Sequence, residues 1–280
     1  MTPSVQLLAV GDNVVDCYPD LGVMFPGGNA VNVAVNAVRC GGSAGYVGVL
    51  GTDDAGRLLH RALGDEGVDL GLLRVADGEN ARAIVRIVEG NRVFEHGEIG
   101  VSEFRVGADD LAAAARAAVV HTGECSMTEP DLPALAQAAR LLSFDFSERP
   151  WDYVAQWAGL VDIAILSSPE GEEAEAVETA RRVNKLGPSR VVVSRGAQGA
   201  VLLGPGGLAV APAGTGPIVD TLGAGDALIA RLLVGLASGE PDDVALRAAT
   251  KYATATCAQH GAFGYETTLD ANGNPASVRA

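Results

Sequence analysis

Asp226 stands in the stretch GPIVDTLGAGDALIARLLVGLASG (216–239), where Gly223 and Gly225 precede an almost wholly apolar run from Ala227 to Leu236. A helix that is apolar all round is a buried one, so the pattern reads as a short strand at Pro217 to Val219, a tight glycine turn and a buried helix. Such a turn aims unpaired backbone N–H groups and the positive end of the helix dipole at one point, where an anion is stabilised. Asp226 falls in that first turn. The dipole is expected to hold its carboxylate ionised, so that it can take a proton from a nearby hydroxyl. Donors that hold a moving phosphoryl group beside a carboxylate that aims the attacking oxygen make up the equipment of phosphoryl transfer. Taken alone, the same residues also fit a plain helix start, with Asp226 complementing the dipole and the glycines turning the chain.

A second constellation is PGGNAVNVAVNAVRCGG (26–42). On a helix, Val31, Ala34, Val35 and Val38 share an apolar face, while Asn29, Asn32 and Asn36 gather on another. Asparagine is a mediocre helix former, and a solvated face more often carries Glu, Lys or Arg. Three asparagines stacked behind Gly27 and Gly28 therefore point to a polar face that hydrogen-bonds a ligand rich in hydroxyls. Asp12 follows the first apolar run, and ligands of parallel sheets gather beyond the carboxyl ends of the strands, which places it at the same site.

The elements that must position these residues alternate along the chain. VQLLAVG (5–11), AGYVGVLG (44–51), AVVHTGE (118–124), LLSFDFS (141–147), VDIAILS (161–167) and RVVVSRG (190–196) have strand length, and helical patterns separate them, including Val31 to Val38 and Ala55 to Glu66. That alternation predicts an α/β fold with a mostly parallel sheet of at least six strands. ARAIVRIVEGNRVFEHGE (81–98) alternates with period two about Glu89-Gly90-Asn91 and reads as a β-hairpin. With the polar and aromatic stretch 13–26 it predicts a small β-appendage placed to act as a lid.

With 35 acidic against 20 basic residues among 280, the net charge is −15. A chain so acidic repels phosphate backbones and anionic lipid, which argues against nucleic-acid and membrane-surface partners. No window reaches the length of a membrane span. The short apolar stretch after Met1 lacks the basic flank of a signal peptide, so a cytoplasmic address is expected. Cys17, Cys40, Cys125 and Cys257 are scattered and read as reduced thiols. The 36 glycines are about twice the usual share.

DTLGAGD (220–226) resembles the second signature of the PfkB-type sugar kinases, and GDN (11–13) with GGNAVN (27–32) resembles the first. GDNVVDCYPD (11–20), VGVLGTDDAG (47–56), FDFS (144–147) and IVDTLGAGD (218–226) are most similar to the branch that phosphorylates fructoselysine on O6. The resemblance implies a three-layer αβα, ribokinase-like fold: one kinase domain over 1–265, lid segments 13–26 and 81–98, and a tail over 266–280. It implies ATP-dependent phosphorylation of a sugar or sugar-amine hydroxyl, fructoselysine or another fructosamine at O6. By the same resemblance Asp226 is the catalytic base, and the amides of Gly223, Ala224 and Gly225 form an anion hole. Asp12, Gly28 and Asn32, with Asn29 on the same helix, bind the sugar. Ser194, Arg195, Gly196 and Gly199, in VVVSRGAQGAVLL (191–203), lie by the ATP. The resemblance also implies a requirement for Mg²⁺. The family's Asn-x-x-Glu segment corresponds to LSSPEGEE (166–173), where Ser167 replaces Asn and Glu170 supplies the acid. The family pattern also allows for a monovalent cation, K+, beside Asp220 near Gly261, and for a homodimer.

Other signals are weaker. GPGGLA (204–209) fits a hairpin turn, since no helix follows it to make a dinucleotide site. EGEEAEAVE (170–178) reads as an acidic helix start. Lys185 and Lys251 are the chain's lysines, and no GxxxxGK[ST] P-loop exists. His60, His96, His121 and His260 stand apart from one another, with His96 on the expected lid. Two further readings fit the residues: a kinase for a simple sugar or nucleoside, and a sugar-binding sensor on a kinase-like fold without turnover.

Overall fold

A computed structural model describes residues 6–88, 91–168 and 171–269. The chain runs β1 (Leu7–Val10), β2 (Val14–Tyr18), β3 (Val23–Gly27), α1 (Asn29–Arg39), β4 (Ala44–Gly51), α2 (Asp54–Asp65), β5 (Asp69–Ala76), β6 (Arg82–Val88) and β7 (Asn91–Glu98). It continues with α3 (Ala108–Ala114), β8 (Val119–Gly123), α4 (Leu132–Ala138), β9 (Leu142–Asp145), α5 (Trp151–Trp157), β10 (Ile163–Ser167), α6 (Glu173–Asn184) and β11 (Arg190–Ser194). The last elements are β12 (Ala200–Gly204), β13 (Gly207–Ala211), α7 (Ala224–Ala237), α8 (Asp242–Thr256) and β14 (Thr267–Thr268).

The main sheet has the order β13-β12-β11-β10-β9-β8-β1-β4-β5. Its seven strands from β11 to β5 are parallel, and β12 and β13 add an antiparallel edge. Both faces are buried. Leu7 and Ala9 of β1 pack with α1, α2, α7 and α8, whereas Leu8 and Val10 pack with residues of α3 to α6. This is the three-layer αβα arrangement, and the unbroken apolar runs of the strands follow from it, because parallel strands covered by helices on both sides have no solvent face.

The second sheet has the order β14-β3-β2-β6-β7. β2 and β3 form an antiparallel hairpin that leaves the main sheet after Asp12 and returns through Gly27 and Gly28 to the start of α1. β6 and β7 form the hairpin expected over 81–98; Glu89 and Gly90 of its turn lie outside the described residues. Arg82 on β6 pairs with Asp53 at 2.9 Å, and Asp53 also caps α2 through Gly56 N, so this sheet is tied to the helix beside it. Asn13 joins the two sheets: it donates to Val49 O at 2.8 Å and Tyr46 Oη at 3.1 Å, and accepts from Asn80 at 2.9 Å.

Three expectations need correction. Pro217 to Val219 form no strand: Pro217 has no N–H to give a ladder, Ile218 is 60% and Val219 48% exposed, and Val219 N bonds instead to Cys257 O beyond α8. β5 has no counterpart among the expected strands, because at the sheet edge its residues are only partly covered and carry no clear alternation. The tail expected over 266–280 is joined to the fold at its start, where β14 pairs Thr267 with Met24 and Thr268 with Val23; residues 270–280 lie outside the described ones. No helix among the described residues is long and apolar enough to cross a membrane.

Candidate active site

α7 begins at a backbone position that calls for glycine. Gly223 has φ 73°, in the left-handed region, and a Cβ there would lie 2.5 Å from Ala262 Cβ. Two residues later the backbone faces open space, since a Cβ on Gly225 would meet nothing within 4 Å. The amides of a helix's first turn have no partner inside the helix; Ala224 N turns back to Thr221 O at 3.2 Å, and the open space lies beside Gly225. Asp226 sits at the rim of that space. Its Oδ1 accepts from Asn29 Nδ2 at 2.8 Å and its Oδ2 from Asn32 Nδ2 at 2.7 Å.

Asp12 sets the phase of α1. One of its carboxylate oxygens accepts from Asn29 N at 2.8 Å, and the other from Ala30 N at 3.2 Å and Ser126 Oγ at 2.8 Å. A carboxylate at the end of β1 thus caps the helix from outside, as an N-cap side chain would. Gly28 makes this approach feasible: φ is 107°, and a Cβ would lie 2.7 Å from Asn13 Cα. With the helix so anchored, Asn29 and Asn32 turn toward Asp226. Asn36, on the same expected face, does not reach the site; it is fully buried, donating to Asn32 O and accepting from Tyr252 Oη at 3.0 Å.

Two site residues escaped the sequence reading. Asp145, the last residue of β9, accepts from Asn29 Nδ2 at 3.0 Å and Ser147 N at 2.8 Å. His121 on β8 is fully buried, with Nε2 3.1 Å from Asn29 Oδ1 and Nδ1 3.2 Å from Ser143 Oγ. They lie at or near the carboxyl ends of β8, beside β1, and of β9, the next strand out, which is where ligands of such sheets bind; the signal was their position, once the strand order is known. His96 is instead exposed on β7, with Nε2 3.6 Å from Glu98. Glu124, just beyond β8, pairs with Arg149 at 2.6 Å.

The electrostatics differ from those expected of a dipole-held carboxylate. Burial raises the Asp226 carboxyl well above its ordinary range, and the charges of Asp145 and Asp12 add to this, against the lowering effect of the Asn32 and Asn29 amides. Burial pushes Asp145 up to about 6 and also raises Asp12, which Ser126 and the α1 amides oppose. It holds His121 neutral, down at about 3. A raised carboxyl is the better proton acceptor, since a base works best with a pKa close to the working pH.

On the far side of the sheet centre, Ser194 Oγ lies 3.2 Å from Ser167 Oγ. Gly196 and Gly199 have φ 52° and 94°, and a Cβ on Gly199 would meet Ala211 O at 2.0 Å, so they form the tight turn between β11 and β12. The Arg195 guanidinium is buried and engaged with Gly171 O, Gln198 and Glu173, so it braces the start of α6. A cleft of about 590 Å³ opens here, lined in part by Ser147, Arg149, Ser167, Ser168 and Gly171. Glu170 lies outside the described residues. Among the described residues no group of three His, Cys, Asp or Glu could cage a metal. Asp220 accepts from Leu222 N at 2.6 Å and Gly261 N at 3.0 Å, tying the glycine turn to the loop after α8.

The sequence profile of the pfkB family of carbohydrate kinases matches residues 10–268. The chain belongs to the PfkB family of carbohydrate kinases. Among its relatives, this kinase is 38% identical over 267 residues to the fructosamine kinase FrlD of Bacillus subtilis, covering 93% of this chain and 94% of that one. It is 34% identical over 262 residues to the fructoselysine 6-kinase of Escherichia coli, covering 92% and 99%. Its fold is shared with Arabidopsis thaliana ribokinase in complex with ribose and ATP, at TM-score 0.81 and 21% identity over 97% of this chain and 96% of that one. Aminoimidazole riboside kinase from Salmonella enterica, with aminoimidazole riboside and an ATP analog, superimposes at TM-score 0.73 and 24% identity over 92% and 95%.

Proposed function

We propose that this kinase transfers the γ-phosphoryl group of ATP to O6 of a fructosamine, fructoselysine or a close analogue, with Asp226 as the base. The observation that carries the reading is the Asp226 carboxyl, steadied on both oxygens by Asn29 and Asn32 and set at the rim of the open space beside Gly225. Asp226 accepts the proton of the sugar hydroxyl as its oxygen attacks. The amides of Gly223, Ala224 and Gly225 hold the charge of the phosphoryl group, and ATP with Mg²⁺ supplies that group. Asp12, Gly28 and Asn32 line the sugar side, and Asn32 Oδ1 is buried without a partner, an acceptor for a sugar hydroxyl. The sheet of β2, β3, β6, β7 and β14 stands over the same side, where it would shield the reaction from water and so limit ATP hydrolysis. The turn of Ser194, Gly196 and Gly199 and the cleft near Ser167 form the nucleotide side.

The choice of a fructosamine rests on the named relatives at 34–38% identity and on charge. Asp12, Asp145 and Asp226 meet around Asn29 with no cation among their hydrogen-bond partners in the described residues, a setting that favours a substrate bearing an ammonium group. ADP release measured with fructoselysine, fructose, ribose and a nucleoside tests it, with Asp226→Asn alongside. Fructoselysine is expected to be turned over fastest, and Asp226→Asn to lose at least about a hundredfold in kcat with KM little changed. Faster turnover of a simple sugar or nucleoside removes the substrate assignment, and near-normal turnover by Asp226→Asn removes the base.

A further inference from the structure

Asn29 uses both ends of its amide. Nδ2 donates to Asp226 Oδ1 at 2.8 Å and to Asp145 Oδ2 at 3.0 Å, which commits both of its hydrogens to carboxylates. Oδ1 faces His121 Nε2 at 3.1 Å. An amide oxygen only accepts, so Nε2 must carry the proton. Burial holds the ring neutral, which leaves Nδ1 bare to accept from Ser143 Oγ at 3.2 Å. Every link then has one direction: Ser143 donates to His121, His121 to Asn29, and Asn29 to Asp226 and Asp145. The Asn29 carbonyl sits against backbone where Gly123 has no Cβ; one there would lie 2.8 Å from Asn29 Oδ1.

The alternative orientation of Asn29 is costly. Rotated by half a turn, the amide would set its oxygen against two carboxylates, and its NH₂ would require the other tautomer of His121, with Nδ1–H given to Ser143 Oγ. The groups around Asp226 sharpen this: Asp12 at the end of β1, Asp145 at the end of β9 and Glu124 after β8 are acidic, Arg149 is committed to Glu124, and the opposing donors are Asn29, Asn32 and the start of α7. Without the Asn29 donor, Asp226 faces mostly negative charge and binds its proton more tightly.

We infer that His121 is a positioning residue for phosphoryl transfer, whose Nε2–H fixes the orientation in which Asn29 presents its N–H groups to Asp226. The inference rests on the reading of Asp226 as the base. His121 itself touches no reacting atom.

Full-length His121→Leu, His121→Gln and His121→Asn test it through kcat, KM and the pH profile of kcat/KM with fructoselysine and Mg²⁺·ATP. A glutamine can place its Nε2 where the imidazole Nε2 stands, whereas asparagine reaches only the Ser143 side. His121→Leu is expected to lower kcat about tenfold and to move the acidic limb of kcat/KM up by about one pH unit, the size of a lost hydrogen bond to a charged group. KM for ATP should stay within about twofold, because the loss falls on the transition state. His121→Gln should recover most of both effects and His121→Asn neither. An unmoved limb in His121→Leu overturns the inference, as does His121→Gln behaving like His121→Leu at equal Tm. Ring ¹⁵N shifts of the wild-type enzyme give a readout free of any folding defect: protonated Nε2 and bare Nδ1 from pH 5.5 to 8 are expected, and the opposite tautomer or a charged ring overturns it. Asp226→Asn separates the two ideas. If it is inactive while His121→Leu has an unchanged profile, only the positioning role fails; if it is active, the base reading fails first.

Discussion

The carboxylates that meet at Asn29 are held at a cost, and Asp145 shows it most directly. Burial, with the charges of Glu124 and Asp12, pushes it from 3.8 to about 6. Between those values the folded protein keeps a proton that the unfolded chain has released, so the stability Asp145 allows is fully present below about pH 4 and is lost as pH rises through about 6. Asp145→Asn removes the buried charge and can keep an oxygen for the Asn29 amide. At pH 8 it is expected to gain about 1–3 kcal/mol, because each tenfold change in proton affinity between the folded and unfolded chain is worth about 1.4 kcal/mol. The gain should vanish by pH 4. Thermal melts at the two pH values measure this, and a Tm difference that does not depend on pH contradicts the account. Asp145 also marks the limit of sequence reading at this scale. Asp226 and Asn32 announce themselves, a carboxylate after GAG and one of three amides stacked on a helix whose other face is apolar, but Asp145 ends an apolar strand run and His121 lies within one. Their roles come from Asn29, which lies more than ninety residues away from His121 in the chain.

At the scale of elements, the start of α7 contains two glycines with opposite duties. Gly223 has a left-handed backbone and Ala262 packed where its side chain would be. Gly223→Ala is therefore expected to cost about 1–3 kcal/mol or more. Gly225 has open space beside it and lies inside the helix, where alanine is favoured by about 1 kcal/mol. Gly225→Ala should thus melt at or above the wild-type temperature while its methyl group occupies the approach of the phosphoryl group, so that kcat/KM for ATP falls. A Gly225→Ala enzyme with normal kinetics would show that the open space is not the phosphoryl site. Most elements here were legible, because apolar runs of strand length alternate with helical patterns and parallel strands need such runs. The failures have physical causes. Pro217 to Val219 has strand-like residues, but Pro217 has no N–H to give a ladder, and Val219 N bonds to Cys257 O instead. β14 is two residues long and exists only because β3 offers it an edge, a partner more than two hundred residues distant that no local pattern reveals.

At the scale of the molecule, the site exists because the sheet order brings β1, β8 and β9 side by side, so that Asp12, Glu124 and Asp145 meet α1 and α7 from widely separated parts of the chain. This convergence places most of the site's acidic groups together in a chain whose net charge is already −15. The summed potential attracts cations and repels anions over distances set by screening, about 10 Å at 0.1 M salt and about three times that at 0.01 M. Fructoselysine, with two ammonium groups and one carboxylate, carries a net positive charge near neutrality, whereas fructose carries none. Both reactions use the same Mg²⁺·ATP, so the ratio of their kcat/KM values cancels the salt dependence of the nucleotide. Raising ionic strength from about 0.02 M to about 0.3 M is expected to lower that ratio about threefold or more, by weakening capture of the charged substrate alone. A ratio that stays constant would mean that the acidic site does not select the amine, and that any preference for fructosamines comes from shape and hydrogen bonding at the sugar.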